Sequence, residues 1–388
     1  MSDDWEIEEY EDIEEEVEEI STTNEPHLVP IREEESWSLP KEDSLGFDDF
    51  DFAEAYSDDP SPDEKMLAPN VAPSAINCAF LGIGGGGGKM AKAFLDLGFN
   101  KTLLINTTEK DQPDGINPEN FLLIPGADGV GKDIKLGKQV LGDNSALVEH
   151  ALRTRIGKVD WLFVLIGGGG GTGSASYELH KSLNRYLSSI EATGKVIYIV
   201  SKPSAQELLN PTIKSNSHKV IQDVKKDPHI IIDNEKQLHL LRGKVGMLNM
   251  YPAANLNFAK LFAQMLKLAT EASPIQAFDS KDLEKCLATP GRMLLGSTVV
   301  RNASAHDLGS TVFQGCLNAS PCSKPTRQPK MGVLLLITTP EMANDPVISN
   351  QLEAAFSYVG GRTETLFSGV YVKEPLPGLI AMTLLGGM

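Results

Sequence analysis

The stretch WLFVLIGGGGGTGS, Trp161 to Ser174, decides the fold of this chain. Six apolar residues, 161–166, make one buried strand, and the glycines after them let the backbone turn sharply and approach a ligand closely. A helix opening there points N–H groups and a positive dipole end at an anion. Upstream, FLGIGGGGGKMAKAF (80–94) repeats the design, with Gly82, Gly84, Gly85, Gly86, Gly87 and Gly88 between a strand and a helix. That loop alone fits a dinucleotide fold, with Glu109 as the acidic residue after the next strand. Two such helix starts at adjacent strand ends instead grip a chain of phosphates from two sides. Neither carries the Lys-Ser/Thr ending of a Walker loop.

Outward from these loops, apolar runs at 76–83, 102–105, 121–124, 161–166, 196–200 and 229–232 read as strands. Helical periodicity at 89–97 and 174–187 separates some of them, so the fold class is α/β with a mostly parallel sheet. Ligands on such sheets sit at the carboxyl ends of the strands. AANLNFAKLFAQMLKLATEA, 253–272, is apolar on nearly every side, as expected for a central helix packed between two bodies. Later runs at 293–300, 332–337, 369–372 and 379–385, with a helix near 347–358, suggest a smaller α+β domain.

The 388-residue chain is unevenly charged. Residues 1–70 hold 26 Asp/Glu and 3 Lys/Arg, a balance of −23, against 27 acidic and 32 basic residues in the remainder, a balance of +5. Like charges and few apolar residues imply a disordered acidic extension over 1–73, able to dock a basic protein partner. A short helix over 6–20 and the aromatics Trp37, Phe47, Phe50 and Phe52 are its candidate anchors. The four scattered cysteines support neither a disulfide framework nor a zinc site. No signal peptide and no membrane segment is evident, which implies a cytoplasmic setting.

The residues of the two loops carry a specific resemblance. GGGGGTGS resembles the GGGTGTG signature of tubulin and FtsZ, and GIGGGGGK resembles the other FtsZ phosphate loop, with Lys89 where Asn is frequent. Further pieces follow in the family's order: Ile105-Asn106-Thr107; Gly129 to Asp133 with Gly137; Ser201-Lys202-Pro203; Asn234-Glu235-Lys236. The resemblance covers about 76–388. It implies a GTP-binding domain over 74–250, a central helix over 251–273 and a GTPase-activating domain over 274–388.

It also implies a site. Gly84, Gly85, Gly86, Gly87, Lys89, Asn106, Gly131, Lys132, Asp133, Gly169, Gly170, Gly171, Thr172, Gly173 and Ser174 would hold the phosphates of GTP or GDP. Glu207 would contact the ribose, and Tyr251 with Asn255 would read guanine; Asn257 competes for that role if the register shifts. AFDSKDLEKCLATPGRMLLGS, 277–297, resembles without a gap the FtsZ segment that completes a neighbour's active site. Asp279 and Asp282 fall on its two carboxylates, which orient water and Mg²⁺. Both also stand at an expected helix start, where Asp caps free N–H groups.

Three departures accompany these matches: Ala277 replaces Asn, 208–211 lacks an Arg frequent in FtsZ, and Gly170 replaces the signature's first Thr. The expected activity is GTP hydrolysis within a head-to-tail homopolymer, with no direct contact to nucleic acid. GVYVKEPLPGLIAMTLLGG, 369–387, resembles the last FtsZ hairpin, and the FtsZ linker and membrane-docking peptide do not follow it. A divergent member that positions phage or plasmid DNA, in a bacterial or phage-infected cytoplasm, is therefore expected. A division-ring protein, or a GTP-binding polymer with little turnover, is the alternative, and a dinucleotide-dependent oxidoreductase the third reading.

Overall fold

A computed structural model describes residues 66–324 and 327–388. The expected helix over 6–20, the aromatic anchors and most of the acidic extension lie outside the described residues.

Six parallel strands come first: β1 (Cys78–Ile83), β2 (Thr102–Asn106), β3 (Phe121–Leu123), β4 (Trp161–Gly167), β5 (Val196–Lys202) and β6 (Pro228–Asp233). Their order is β3-β2-β1-β4-β5-β6. The sheet continues through β7 (Gly291–Val300), whose first residues pair with β6 in parallel, Pro228 opposite Gly291. From Leu294 onward β7 turns to an antiparallel partner, β10 (Leu379–Gly386). Then follow β8 (Met331–Thr338), antiparallel to β10, and β9 (Thr365–Val372), parallel to β8. Every residue of β1 and β10 is buried, because helices cover both faces and no alternation with polar residues is needed.

Neighbouring residues of a strand feed opposite faces. Phe80 and Phe163 enter one core with Phe94, Phe99, Phe258 and Phe262; Leu81 and Val164 enter the other with Ile83, Leu183 and Val220. In the first, Phe80 stacks on Phe94 at 4.0 Å and Phe163 meets Phe262 edge-on at 5.0 Å. Phe258 and Phe262 come from the helix Met250–Leu268, and the same core runs on to Leu295, Leu334 and Met382. That double burial is why this helix is apolar on nearly all sides.

Several elements extend beyond their sequence-expected bounds. The helix expected over 89–97 begins at Gly84, so five glycines form its opening turns. Glycine costs about 1 kcal/mol per helical position relative to alanine, which hides such a start from propensity. The stretch 174–187 is divided among Gly171–Ser174, a 3₁₀ turn at Ser176–Leu179 and a helix at His180–Ser189.

Residues 66–73, assigned from sequence to the acidic extension, are packed on the body instead. Leu67 and Ala72 are buried, Leu67 N–H donates to Arg155 O, and Val71 and Ala72 N–H donate to Gly98 O. Asn70 clamps the strip, its amide donating to Cys78 O and its carbonyl accepting from Lys101 N.

Candidate nucleotide site

At the carboxyl ends of β1, β2, β4 and β5 the chain leaves a cleft of about 610 Å³. Its floor is the contact between the two glycine loops. A Cβ built on Gly84, whose φ is +72°, would stand 2.9 Å from Gly173 N, and one on Gly86 would stand 3.0 Å from Gly167 Cα. No side chain fits between them, so their amides stay open to a ligand. Thr107 and Thr172 share a hydrogen bond between hydroxyls at 3.0 Å, tying the end of β2 to the second loop. A third loop closes over the side: Gly171 N–H donates to Gly131 O and Gly129 N–H to Thr107 O. Asn216 on the helix Pro211–Val224 fastens two of these loops, its amide donating to Lys132 O at 2.9 Å and Gly169 O at 3.4 Å.

The cleft is lined by Gly84, Gly85, Gly86, Lys89, Asn106, Gly131, Lys132, Gly169, Gly170, Gly171, Thr172, Gly173, Glu207, Tyr251 and Asn255. Residues separated by up to 171 positions in sequence thus meet around one space, with Asn257 outside it and solvent-exposed. Three expected phosphate residues stand behind the wall. Gly87 faces β4, where an added Cβ would lie 2.2 Å from Leu165 O. Asp133 caps the helix Ile134–Asp143, accepting from Lys135 N and Leu136 N. Ser174 is fully buried, its hydroxyl without a hydrogen-bond partner among the described residues.

The far wall is pinned by carboxylates. Glu207 forms a capping box with Ser204, and its Oε2 also accepts from Tyr251 Oη at 3.0 Å. Burial first, and the Glu207 charge second, push the Tyr251 phenol up to about 12, so it stays a donor across the physiological range. Glu235 Oε2 accepts from Ala205 N, and Ser201 Oγ donates to Asn234 Oδ1 at 2.7 Å. Asn234 lines the cleft as well; its Asn-Glu-Lys context is the sequence signal that marks it.

Sequence reasoning missed the charged rim. Lys110, Asp111 and Asp128 line the phosphate-side opening, and Lys110 Nζ pairs with Asp128 Oδ2 at 2.8 Å. Lys110 and Asp111 showed only as a run of charge in a loop, the usual mark of a solvated surface, and Asp128 only as the residue before the Gly129 to Asp133 motif.

Asp279 and Asp282 do not join the cleft. Asp279 is exposed and caps the helix Ser280–Ala288 through Lys281 N at 2.7 Å; Asp282 pairs with Lys285 at 2.9 Å. Tyr371 Oη donates to Leu268 O and accepts from Phe278 N, which holds this segment at the carboxyl end of the helix Met250–Leu268. Tyr251 stands at the other end of that helix, and 19 helical residues span about 28 Å. Cleft and carboxylates of one chain are therefore separated by a helix length.

No family model and no curated relative matches the sequence. Solved structures do. The chain is similar to CetZ2 from Haloferax volcanii in a GTPγS-bound protofilament, with 22% identity over 80% of this chain and 93% of that one, TM-score 0.65. It is similar to TubZ of Bacillus thuringiensis serovar israelensis in a GTPγS-form protofilament, with 19% identity over 82% and 90%, TM-score 0.68. The FtsZ dimer of M. jannaschii matches at 18% identity over 80% and 87%, TM-score 0.59. The fold is that of tubulin and FtsZ.

Proposed function

We propose that this chain, built on the tubulin/FtsZ fold, binds GTP in the glycine-walled cleft and hydrolyses it inside a head-to-tail polymer, each site completed by the next subunit's Asp279 and Asp282. One observation carries the reading: the cleft and these carboxylates sit at opposite ends of one helix, so only a second copy can bring them together. Apolar surface at both ends supports such stacking. Leu209 (81% exposed), Met247 (87%) and Leu248 (92%) flank the cleft side, and Ile275 (53%) stands four residues before Asp279. Exposed leucine and methionine in clusters mark protein interfaces.

Within the cleft, backbone amides of the two glycine loops bind the phosphates, while Tyr251, Asn255 and Glu207 hold the base and ribose. Catalysis then needs positioning and charge rather than a covalent nucleophile. Asp279 or Asp282 orients the attacking water and accepts its proton as the γ-phosphoryl departs. The residues also fit a magnesium ion. The hydroxyls of Thr107 and Thr172 and the carboxylate of Asp111 border the cleft, and no group of three His/Cys/Asp/Glu forms an all-protein cage among the described residues. Thr107, Thr172 and Asp111 would hold such an ion beside the phosphates, where it would supply neutralising charge. A role in positioning phage or plasmid DNA is the finer part of this proposal. It draws on the analogy with divergent FtsZ-like proteins and is tested by whether filaments in cells track DNA.

The decisive experiment is pelleting and phosphate release with GTP across a protein concentration series. Turnover per subunit should rise with concentration and level off once the protein is polymeric. Polymers without phosphate release would assign a binding protein without turnover, and NADH binding without any GTP effect would assign a dinucleotide enzyme. A second expectation concerns Tyr251→Phe. It keeps the ring but deletes the bond to Glu207, and a net hydrogen bond of about 1 kcal/mol corresponds to about fivefold weaker nucleotide binding by equilibrium titration.

A further inference from the structure

Three lysines and three carboxylates line the cleft: Lys89, Lys110, Lys132, Asp111, Asp128 and Glu207. Their formal charges cancel, although the expected occupant is a polyanion. Glu207 is committed to the ribose wall by Ser204 and Tyr251. At the phosphate side, Lys110 is occupied: its ammonium pairs with Asp128 Oδ2 at 2.8 Å, and Thr108 Oγ1 donates to Asp128 Oδ1 at 3.1 Å. This pair ties the loop after β2 to the loop after β3.

The tie is easily exchanged. Lys110 is 77% and Asp128 72% exposed, and exposed pairs contribute little, because water screens them and ordering two long side chains opposes them. Gly129 and Gly131 follow Asp128 with φ of +81° and +56°, and Gly131 has no heavy atom near an added Cβ. The backbone here stays anchored, with Val130 buried and the peptides at Gly129 and Gly131 hydrogen-bonded to Thr107 and Gly171, so the exchange needs only the side chains of Lys110 and Asp128 to rotate. A γ-phosphate places about two negative charges at this rim, and the triphosphate carries about one more overall than the diphosphate. It repels Asp128 and offers Lys110 a more highly charged partner, within reach of a flexible four-carbon stem.

We propose that Lys110 is a γ-phosphate cation parked on Asp128, which leaves that carboxylate for the terminal phosphate when a triphosphate binds and returns to it in the diphosphate state. The inference rests on the guanine-nucleotide reading above and adds a residue that tells GTP from GDP. It gives the side-chain link between the loops after β2 and β3 two states: closed on Asp128 with GDP, and open with Lys110 on the phosphate with GTP.

The test is equilibrium titration of the full chain with GTPγS and with GDP, below the concentration of assembly, for wild type, Lys110→Gln, Lys110→Arg and Asp128→Asn. Lys110→Gln should weaken GTPγS about tenfold and GDP less than twofold, since a charge-assisted phosphate contact is lost only in the triphosphate. Lys110→Arg should restore most of the preference. Asp128→Asn should act in the opposite direction and tighten GTPγS a few-fold, because the lysine no longer has to leave a carboxylate. Equal weakening of both nucleotides by Lys110→Gln, no effect on either, or weaker GTPγS binding by Asp128→Asn would overturn the proposal. Failure of wild type to bind either nucleotide would instead sink the guanine-nucleotide reading itself. Both residues are exposed, so unchanged melting temperatures should accompany every variant.

Discussion

Asp279→Asn is expected to leave GTP binding and filament assembly in place and to cut phosphate release by about a hundredfold or more, the usual cost of losing a group that positions the attacking water. Asparagine is the informative replacement. Alanine would also remove the cap that Asp279 places on the helix Ser280–Ala288, at a cost of about 1 kcal/mol, and a displaced helix would mimic a catalytic loss. Asparagine caps as well as aspartate and lacks only the charge. Asp282→Asn should act in the same direction; the exposed contact it gives up with Lys285 contributes little to folding. Neither residue lines its own cleft, so nucleotide affinity measured on the dilute monomer should be unchanged in both. Dilution separates this mechanism from an intramolecular one. A carboxylate acting on the neighbour's nucleotide gives no turnover in the dilute monomer, whereas one acting on its own cleft gives the same rate per subunit at any dilution. Retained phosphate release in either variant, or a rate independent of protein concentration, would contradict the shared site.

The sheet and the glycine loops were legible in the chain because their causes are local. An apolar run ending in glycines has few structural solutions, and two such runs with the family's later motifs in order name the fold. The rim of the cleft was not legible, because Lys110, Asp111 and Asp128 acquire meaning only when loops 18 residues apart are brought together. Tyr251 and Glu207 were each read alone; the hydrogen bond between them belongs to the tertiary structure. Gly87 and Asp133 show the opposite limit. Both carry a motif's residue type, yet in the structure one meets a strand carbonyl and the other caps a helix. Spacing reports a residue's place in a motif, whereas its direction is set by the element beneath it. The strip 66–73 was misassigned because composition averaged over a window hid two apolar residues, Leu67 and Ala72, with places to bury.

Two glycines of these loops should respond differently to substitution, and the contrast tests the packing on which the cleft depends. Helix propensity alone says that Gly87→Ala gains about 1 kcal/mol, since alanine is the best helix former. Sterics say the reverse. The new methyl would lie 2.2 Å from Leu165 O in β4, and Gly82 in β1 already stands so near that its own Cβ would meet Gly87 O at 2.6 Å. Both obstacles are backbone atoms of central strands, paired in register from Cys78 opposite Trp161 to Ile83 opposite Ile166, so neither can yield by a rotamer change. Overpacking of this kind costs about 3 kcal/mol, which outweighs the propensity gain and should lower the melting temperature by about 4 °C. Lifting the helix Gly84–Asp96 also displaces the amides of the first phosphate loop, so GTP affinity should fall at least about tenfold. Gly170→Thr is the counterpart. Gly170 has φ −83° and ψ 168°, which any residue adopts, and nothing lies within 4 Å of an added Cβ. Its melting temperature should match wild type to within the effect of about 0.5 kcal/mol, with GTP binding retained. Thermal melts of the two variants with and without GTP decide the matter. A Gly87→Ala protein as stable as wild type would mean that helix and sheet do not meet at the spacing from which the cleft is built.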